Sequence, residues 1–87
     1  MYYVYILRSI KDGSHYTGFT DDITRRPEEH NKGKNYSTKN KSPWILIHVE
    51  IVDSRIQARK LEKFFISGFG REIISEIEST LNITIPL

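Results

Sequence analysis

The sequence contains no cysteine. Disulfides and thiolate metal centres are therefore excluded, and a reducing, cytoplasmic compartment is the simplest expectation. Long apolar runs are also missing. The most hydrophobic stretch, residues 44–52, is interrupted by His48 and Glu50 and falls far short of the ~20 apolar residues that cross a bilayer. No membrane association is expected. The opening Met1-Tyr2-Tyr3-Val4 lacks the charged start and apolar core of an export signal. Charge of one sign is scarce overall, because 13 Lys and Arg against 11 Asp and Glu leave a net charge of +2. That is too little to imply a nucleic-acid partner. Cys/His zinc spacing, a Gly-rich phosphate loop ending in Gly-Lys-Ser/Thr and a paired histidine–acid metal helix are all absent, which removes the enzyme classes built on them.

What remains is short and patterned. A chain of 87 residues with 38% hydrophobic content suits one folded domain, residues 1–87, with a small core. Residues 2–8 are aromatic and β-branched and read as a strand. Asp12-Gly13 signals a hairpin, with residues 15–20 as the return strand. If those two residues form the turn, Ser9 faces Tyr16 and Tyr5 faces Thr20. Tyr5 and Tyr16 then share a face but stand about 13 Å apart along the ladder. Asp21, Asp22 and Thr24 offer caps for a helix ending near Lys32 and Gly33. Pro27 requires a kink there or a start nearer Arg26. Residues 44–52 read as a third strand. Ser54 and Gln57 suit a capping box opening a second helix that stops at Gly68. A last helix covers residues 71–81, with Ile73, Ile77 and Leu81 at four-residue spacing. The expected fold is α+β, a three-stranded antiparallel sheet flanked by helices in the order β-β-α-β-α-α.

Charge becomes informative locally. Lys32, Lys34, Lys39 and Lys41 fall within ten residues that hold no acid and one stacking ring, Tyr36. Such a loop suits a phosphate backbone, and Arg25 adds to the candidate nucleic-acid contacts. A charge run of this length is more often simply solvated.

The chemistry-bearing residues are Tyr5, Tyr16, Arg26, His30 and Glu62. Taken singly, each has a plainer role in packing or at the surface. Together, phenol, guanidinium, imidazole and carboxylate suffice to cut a phosphodiester with one metal ion. Arg26 and His30 stand four apart, on one helix face, and a guanidinium grips two phosphate oxygens at once. A free phenol titrates near pH 10, so a tyrosine base needs nearby cations such as Arg26, Lys32 or a metal. On a helical wheel Glu62 lies about 40° from Ala58 and about 60° from Phe65, at the rim of the apolar face. A lone carboxylate there suits a single Mg²⁺ or Mn²⁺ that keeps most of its waters.

In this order the residues resemble the GIY-YIG nucleases. The likeness is to the small single-domain members and to the N-terminal domain of the repair subunit excinuclease C. Tyr3-Val4-Tyr5 matches the first element and Tyr16-Thr17-Gly18 the second. Arg26, His30-Asn31, Ser42-Pro43-Trp44 and Ala58-Arg59-Lys60-Leu61-Glu62-Lys63 follow in register. The resemblance implies a DNA endonuclease with low sequence preference and a place in DNA repair or recombination. It implies one divalent cation on Glu62, Tyr5 or Tyr16 activating water, Arg26 on the scissile phosphate and His30 assisting. Phe19 and Ile66 stand where relatives carry lysines, Pro27 stands where they have a helix former, and a terminal asparagine has no counterpart. These departures motivate a second reading, a weakly active or inactive nucleic-acid-binding or partner-docking module. A third reading docks a protein on Ile73, Ile77 and Leu81.

Overall fold

The computed structural model describes residues 1–34 and 38–81. Three strands form one antiparallel sheet: β1 (Tyr2–Ser9), β2 (His15–Thr20) and β3 (Trp44–Val52), in the order β2-β1-β3. Helix α1 (Arg25–Asn31) follows β2, and a single 3-10 turn (Lys39–Lys41) precedes β3. Helices α2 (Arg55–Ile66) and α3 (Gly68–Thr80) close the order. The α+β architecture is the one expected. Among the described residues no helix is long and apolar enough to cross a membrane.

Alternation along β1 divides the protein into two cores. Val4 and Ile6 point to one side, where they pack with Ile47, Ala58, Phe65 and Ile74 beneath α2 and α3. Tyr5 and Leu7 point to the other, packing with Trp44, Tyr16, Ile23 and Val49. The central strand is thus buried on both faces, as its aromatic and β-branched composition requires. A bulge in β3 keeps this arrangement, since Ile6 pairs with His48 but Leu7 pairs with Leu46. The extra residue, Ile47, is buried against Val4 and Ile6.

The hairpin departs from the expected register. Its loop is longer than the two residues Asp12-Gly13. Ser9 N–H donates to the Ser14 carbonyl at 2.8 Å, and Gly13, at φ +77°, closes a turn onto the Ser9 carbonyl at 2.9 Å. The Ser9 hydroxyl accepts from the N–H groups of Lys11 and Asp12. Two more residues in the loop slide β2 by two positions, so Tyr5 faces Gly18 and Leu7 faces Tyr16. A shift of two preserves the face of every side chain. Tyr5 and Tyr16 therefore become diagonal neighbours, with ring centres 6.3 Å apart.

Pro27 introduces no kink. It is the third residue of α1, inside the first turn, where backbone N–H groups have no helical acceptor anyway. Asp22 secures the entry by accepting from Thr24 N–H, Thr24 Oγ1 and Arg25 N–H. Gly33, at φ +75°, ends the helix as expected.

Ser54 caps α2 by accepting from Gln57 N–H at 3.2 Å, and Gln57 Oε1 reaches back to Asp53 N–H. Helix α2 stops just before Gly68, as expected, and the chain turns a corner directly into α3. Ser67 donates to the Phe64 carbonyl and accepts from Gly70 N–H, so one serine ends α2 and caps α3. Gly70 lets the helices meet. A Cβ there would lie 2.0 Å from the Phe64 carbonyl oxygen and 2.6 Å from Phe65 Cα. Backbone atoms cannot swing aside, so Gly70→Ala should destabilise the protein by at least about 3 kcal/mol. A thermal melt should show a drop on the order of 15 °C, and an unchanged melt would refute the close approach.

Helix α3 also sits differently from its pattern. Its inward residue is Ile74, while Ile73 and Ile77 are half-buried and Leu81 is exposed. It is tied to the sheet by Glu78, which receives Arg8 Nη1 at 2.7 Å and His15 Nε2 at 3.0 Å.

Candidate active site

The second core carries polar groups among its apolar ones. Tyr5, His30 and Thr38 are each at most 1% exposed. The Tyr5 hydroxyl lies 2.9 Å from His30 Nε2, and His30 Nδ1 lies 2.7 Å from Thr38 Oγ1. Each of these elements has a reason to be there. β1 supplies Tyr5 by alternation, α1 supplies His30 one turn after Arg26, and the Thr38 carbonyl is held by Trp44 Nε1 at 3.0 Å. Asn31 fastens α1 to β3 by bonding both the N–H and the carbonyl of Trp44. The Tyr16 ring covers this triad, 4.7 Å from the His30 ring and 6.5 Å from that of Trp44. Gly18 is required beneath it. A Cβ there would lie 2.8 Å from the Tyr5 hydroxyl and 3.0 Å from the Tyr16 ring.

Burial and charge set the protonation states. The Tyr5 phenol is pushed up to about 12 by burial, then by the neighbouring Tyr16. Arg26 pulls the other way, as a hydrogen-bonding and charged neighbour, while Glu62 pushes upward again. Burial outweighs the cation, so the phenol form of Tyr5 is favoured near neutrality. Arg26 lowers the Tyr5 phenol, as expected of a nearby cation, but by less than burial raises it. The His30 imidazole is lowered, first by burial and then by Arg26. A neutral imidazole has one N–H and one lone pair. The two contacts join Tyr5, His30 and Thr38 in one buried chain, whose direction is set by which imidazole nitrogen carries the proton.

A stability consequence follows. His30 has a folded pKa below its ordinary 6.5, so on acidification the unfolded chain takes up this proton first. The contribution is fully present above about pH 6.5 and is lost as pH falls toward the folded value. Melts between pH 7.5 and 5 should show a falling Tm. His30→Asn should flatten that slope, and an equal slope in both proteins would contradict the buried neutral imidazole.

The remaining candidates border this core. Arg26 is held by Glu29 at 2.9 Å and is about one-third exposed. Glu62 lies at the rim, as its wheel position implies, with a side chain 16% exposed and Arg59 at 3.3 Å. Its charge is felt at the Tyr5 hydroxyl. Thus Tyr5, Tyr16, Arg26, His30 and Glu62 converge. No group of three or more His, Cys, Asp or Glu side chains with metal-ligating geometry occurs among the described residues. That donor set fits only an ion content with one carboxylate and water. The nucleic-acid candidates are more dispersed. Arg25 is exposed and shared between Asp22 and Glu29. Lys32 and Lys34 are exposed at the end of α1, and Lys39 and Lys41 lie on the 3-10 turn, where Lys41 pairs with Asp12 at 3.7 Å. Tyr36 lies outside the described residues. Sequence reasoning missed Thr38, which no periodicity marks.

Tyrosines from paired strands, a helix arginine and a carboxylate at the rim, on a three-stranded sheet, define the GIY-YIG class of catalytic domains. The chain belongs to this family, whose catalytic-domain pattern matches residues 1–74. Its relatives within the family are UPF0213 proteins. It is 40% identical over 63 residues to that of Halobacterium salinarum, covering 71% of this chain and 80% of the relative. It is 39% identical over 72 residues to that of Staphylococcus saprophyticus, covering 82% and 85%. The solution NMR structure of a UPF0213 protein from Bacillus halodurans matches with a TM-score of 0.53 at 34% identity, over 90% of this chain and 86% of that chain.

Proposed function

We propose that this protein is a divalent-metal-dependent endonuclease that hydrolyses DNA phosphodiester bonds with little sequence preference. One observation carries the reading: the Tyr5 hydroxyl bonds to His30 at 2.9 Å and is acted on at once by the Arg26 and Glu62 charges, with the Tyr16 ring beside it. Tyr5 is fully buried and engaged, whereas Tyr16 is half-buried. Tyr16 is therefore the phenol that meets the water, and Tyr5, His30 and Thr38 form the buried frame that fixes it. The water oxygen bonds to phosphorus, one P–O ester bond breaks, and the Tyr16 oxygen takes the water proton as its own passes to solvent. Solvent protonates the leaving oxygen. Arg26 holds the scissile phosphate in a two-point grip. Glu62 would hold a Mg²⁺ or Mn²⁺, which when bound neutralises phosphate charge. The narrower reading, a repair role like that of excinuclease C, is supported by sequence resemblance alone.

The rival is a nucleic-acid-binding or partner-docking module on the same fold. The Arg59–Glu62 pair favours it, because it engages the carboxylate that a cation needs. Nicking of supercoiled plasmid with Mg²⁺ or Mn²⁺ separates the two. Wild type should nick, and Glu62→Ala and Arg26→Ala should not. Equal activity in all three would indicate a contaminant, and no nicking with any cation would favour the module.

A further inference from the structure

Beside the site, a cavity of about 260 Å³ is lined by Tyr2, Phe19, Thr20, Asp21, Arg25, Arg26 and Arg55. It holds three guanidinium groups against one carboxylate. The arginines differ in how they are held. Arg26 is paired with Glu29, and Arg25 is shared between Asp22 and Glu29. Arg55, the first residue of α2, has no acidic partner within ion-pair distance among the described residues. Its guanidinium instead lies 5.4 Å from the centre of the Phe19 ring. Tyr2 braces that ring edge-on at 6.3 Å.

An exposed arginine normally samples many rotamers and loses that freedom when it binds. Stacking on a ring that is itself wedged removes part of this loss in advance, and the cation–π contact leaves the N–H edges free. The charge is thus ordered but not neutralised, as a site for an external anion requires. Phe19 takes a cation's place on β2 but seats one delivered by α2. Arg26 lines the cavity and also borders Tyr5, so the cavity and the proposed catalytic centre share a wall.

We propose that this cavity is a second phosphate subsite, in which Arg55, with Arg25, grips a backbone phosphodiester next to the scissile one that Arg26 holds, on the same nucleic-acid strand. The subsite rests on the nuclease reading only for the identity of its ligand. It supplies affinity and register and takes no part in bond breaking. The two rings form its wall and hold Arg55 from behind.

The test is binding in EDTA, where cleavage cannot occur. A fluorescent 15-nucleotide DNA, single-stranded or duplex, is titrated by anisotropy at several salt concentrations. Arg55→Ala should weaken binding about 3- to 10-fold and lower the salt slope by about one. Arg55→Lys should recover the slope but only part of the affinity, because lysine lacks the planar face. Phe19→Leu should behave like Arg55→Lys. Arg71→Ala, on α3, should leave binding unchanged. Wild-type affinity and slope in Arg55→Ala would overturn the proposal, as would an equal loss in Arg71→Ala. Displacement of the DNA by a nucleoside monophosphate at comparable concentration would also overturn it, since the cavity would then take a free nucleotide. Arg55-dependent binding without cleavage under any cation would sink the nuclease reading and leave the subsite standing.

Discussion

Tyr16→Phe should lower the nicking rate by about 10²- to 10⁴-fold, the range for removing a positioned general base, and leave Tm within a few degrees. The two tyrosines share a face, yet their surroundings separate their roles. The Tyr5 hydroxyl is buried against Gly18, bonded to His30 and pushed up to about 12 by burial, and the proposal therefore leaves the substrate water to Tyr16. Tyr16 closes the top of that frame and is partly open to solvent. Tyr5→Phe should do the opposite of Tyr16→Phe. It leaves the buried His30 Nε2 without a partner, at a cost of about 1–3 kcal/mol, and lowers Tm by roughly 4–8 °C per kcal/mol. Equal stability losses in both variants, with no selective loss of rate in Tyr16→Phe, would mean the assignment is reversed or wrong.

Arg26→Ala should reduce nicking by about 10²- to 10³-fold, as for loss of one preorganised charge donor at a reacting oxyanion. Arg26→Lys should recover little, because an ammonium cannot make the paired N–H contacts of a guanidinium. Glu29 orients the group through its 2.9 Å contact, so Glu29→Gln should raise KM more than it lowers kcat. A lysine variant with full activity would show that charge alone is needed and would remove the two-point grip.

Much of the site was legible because it depends on periodicity and parity. Alternation placed Tyr5 and Tyr16 on one face, and that survived an error in the hairpin, since a slip of two residues changes distance but not side. Arg26 and His30 share a helix face by four-residue spacing, and the wheel put Glu62 at the rim. What stayed hidden depends on contacts between distant segments. Thr38 reaches His30 from a cationic segment whose composition suggested a phosphate contact or plain solvation. Ser67 serves two helices, so α3 begins at Gly68 and not at the expected Arg71. Pro27 looked disruptive only while the start of α1 was placed too early. No pattern in the sequence singled out Arg55, which the fold lays on Phe19.

The proposal that Tyr16, Arg26 and Glu62 gather about one cation can be tested without relying on turnover. Mn²⁺ titrated into isotope-labelled protein should broaden the side-chain NMR signals of Glu62, Tyr5, Tyr16 and Arg26 ahead of those on α3 such as Arg71, and Glu62→Gln should abolish the effect. Broadening elsewhere, or unchanged broadening in Glu62→Gln, would contradict a metal-dependent site built on this carboxylate.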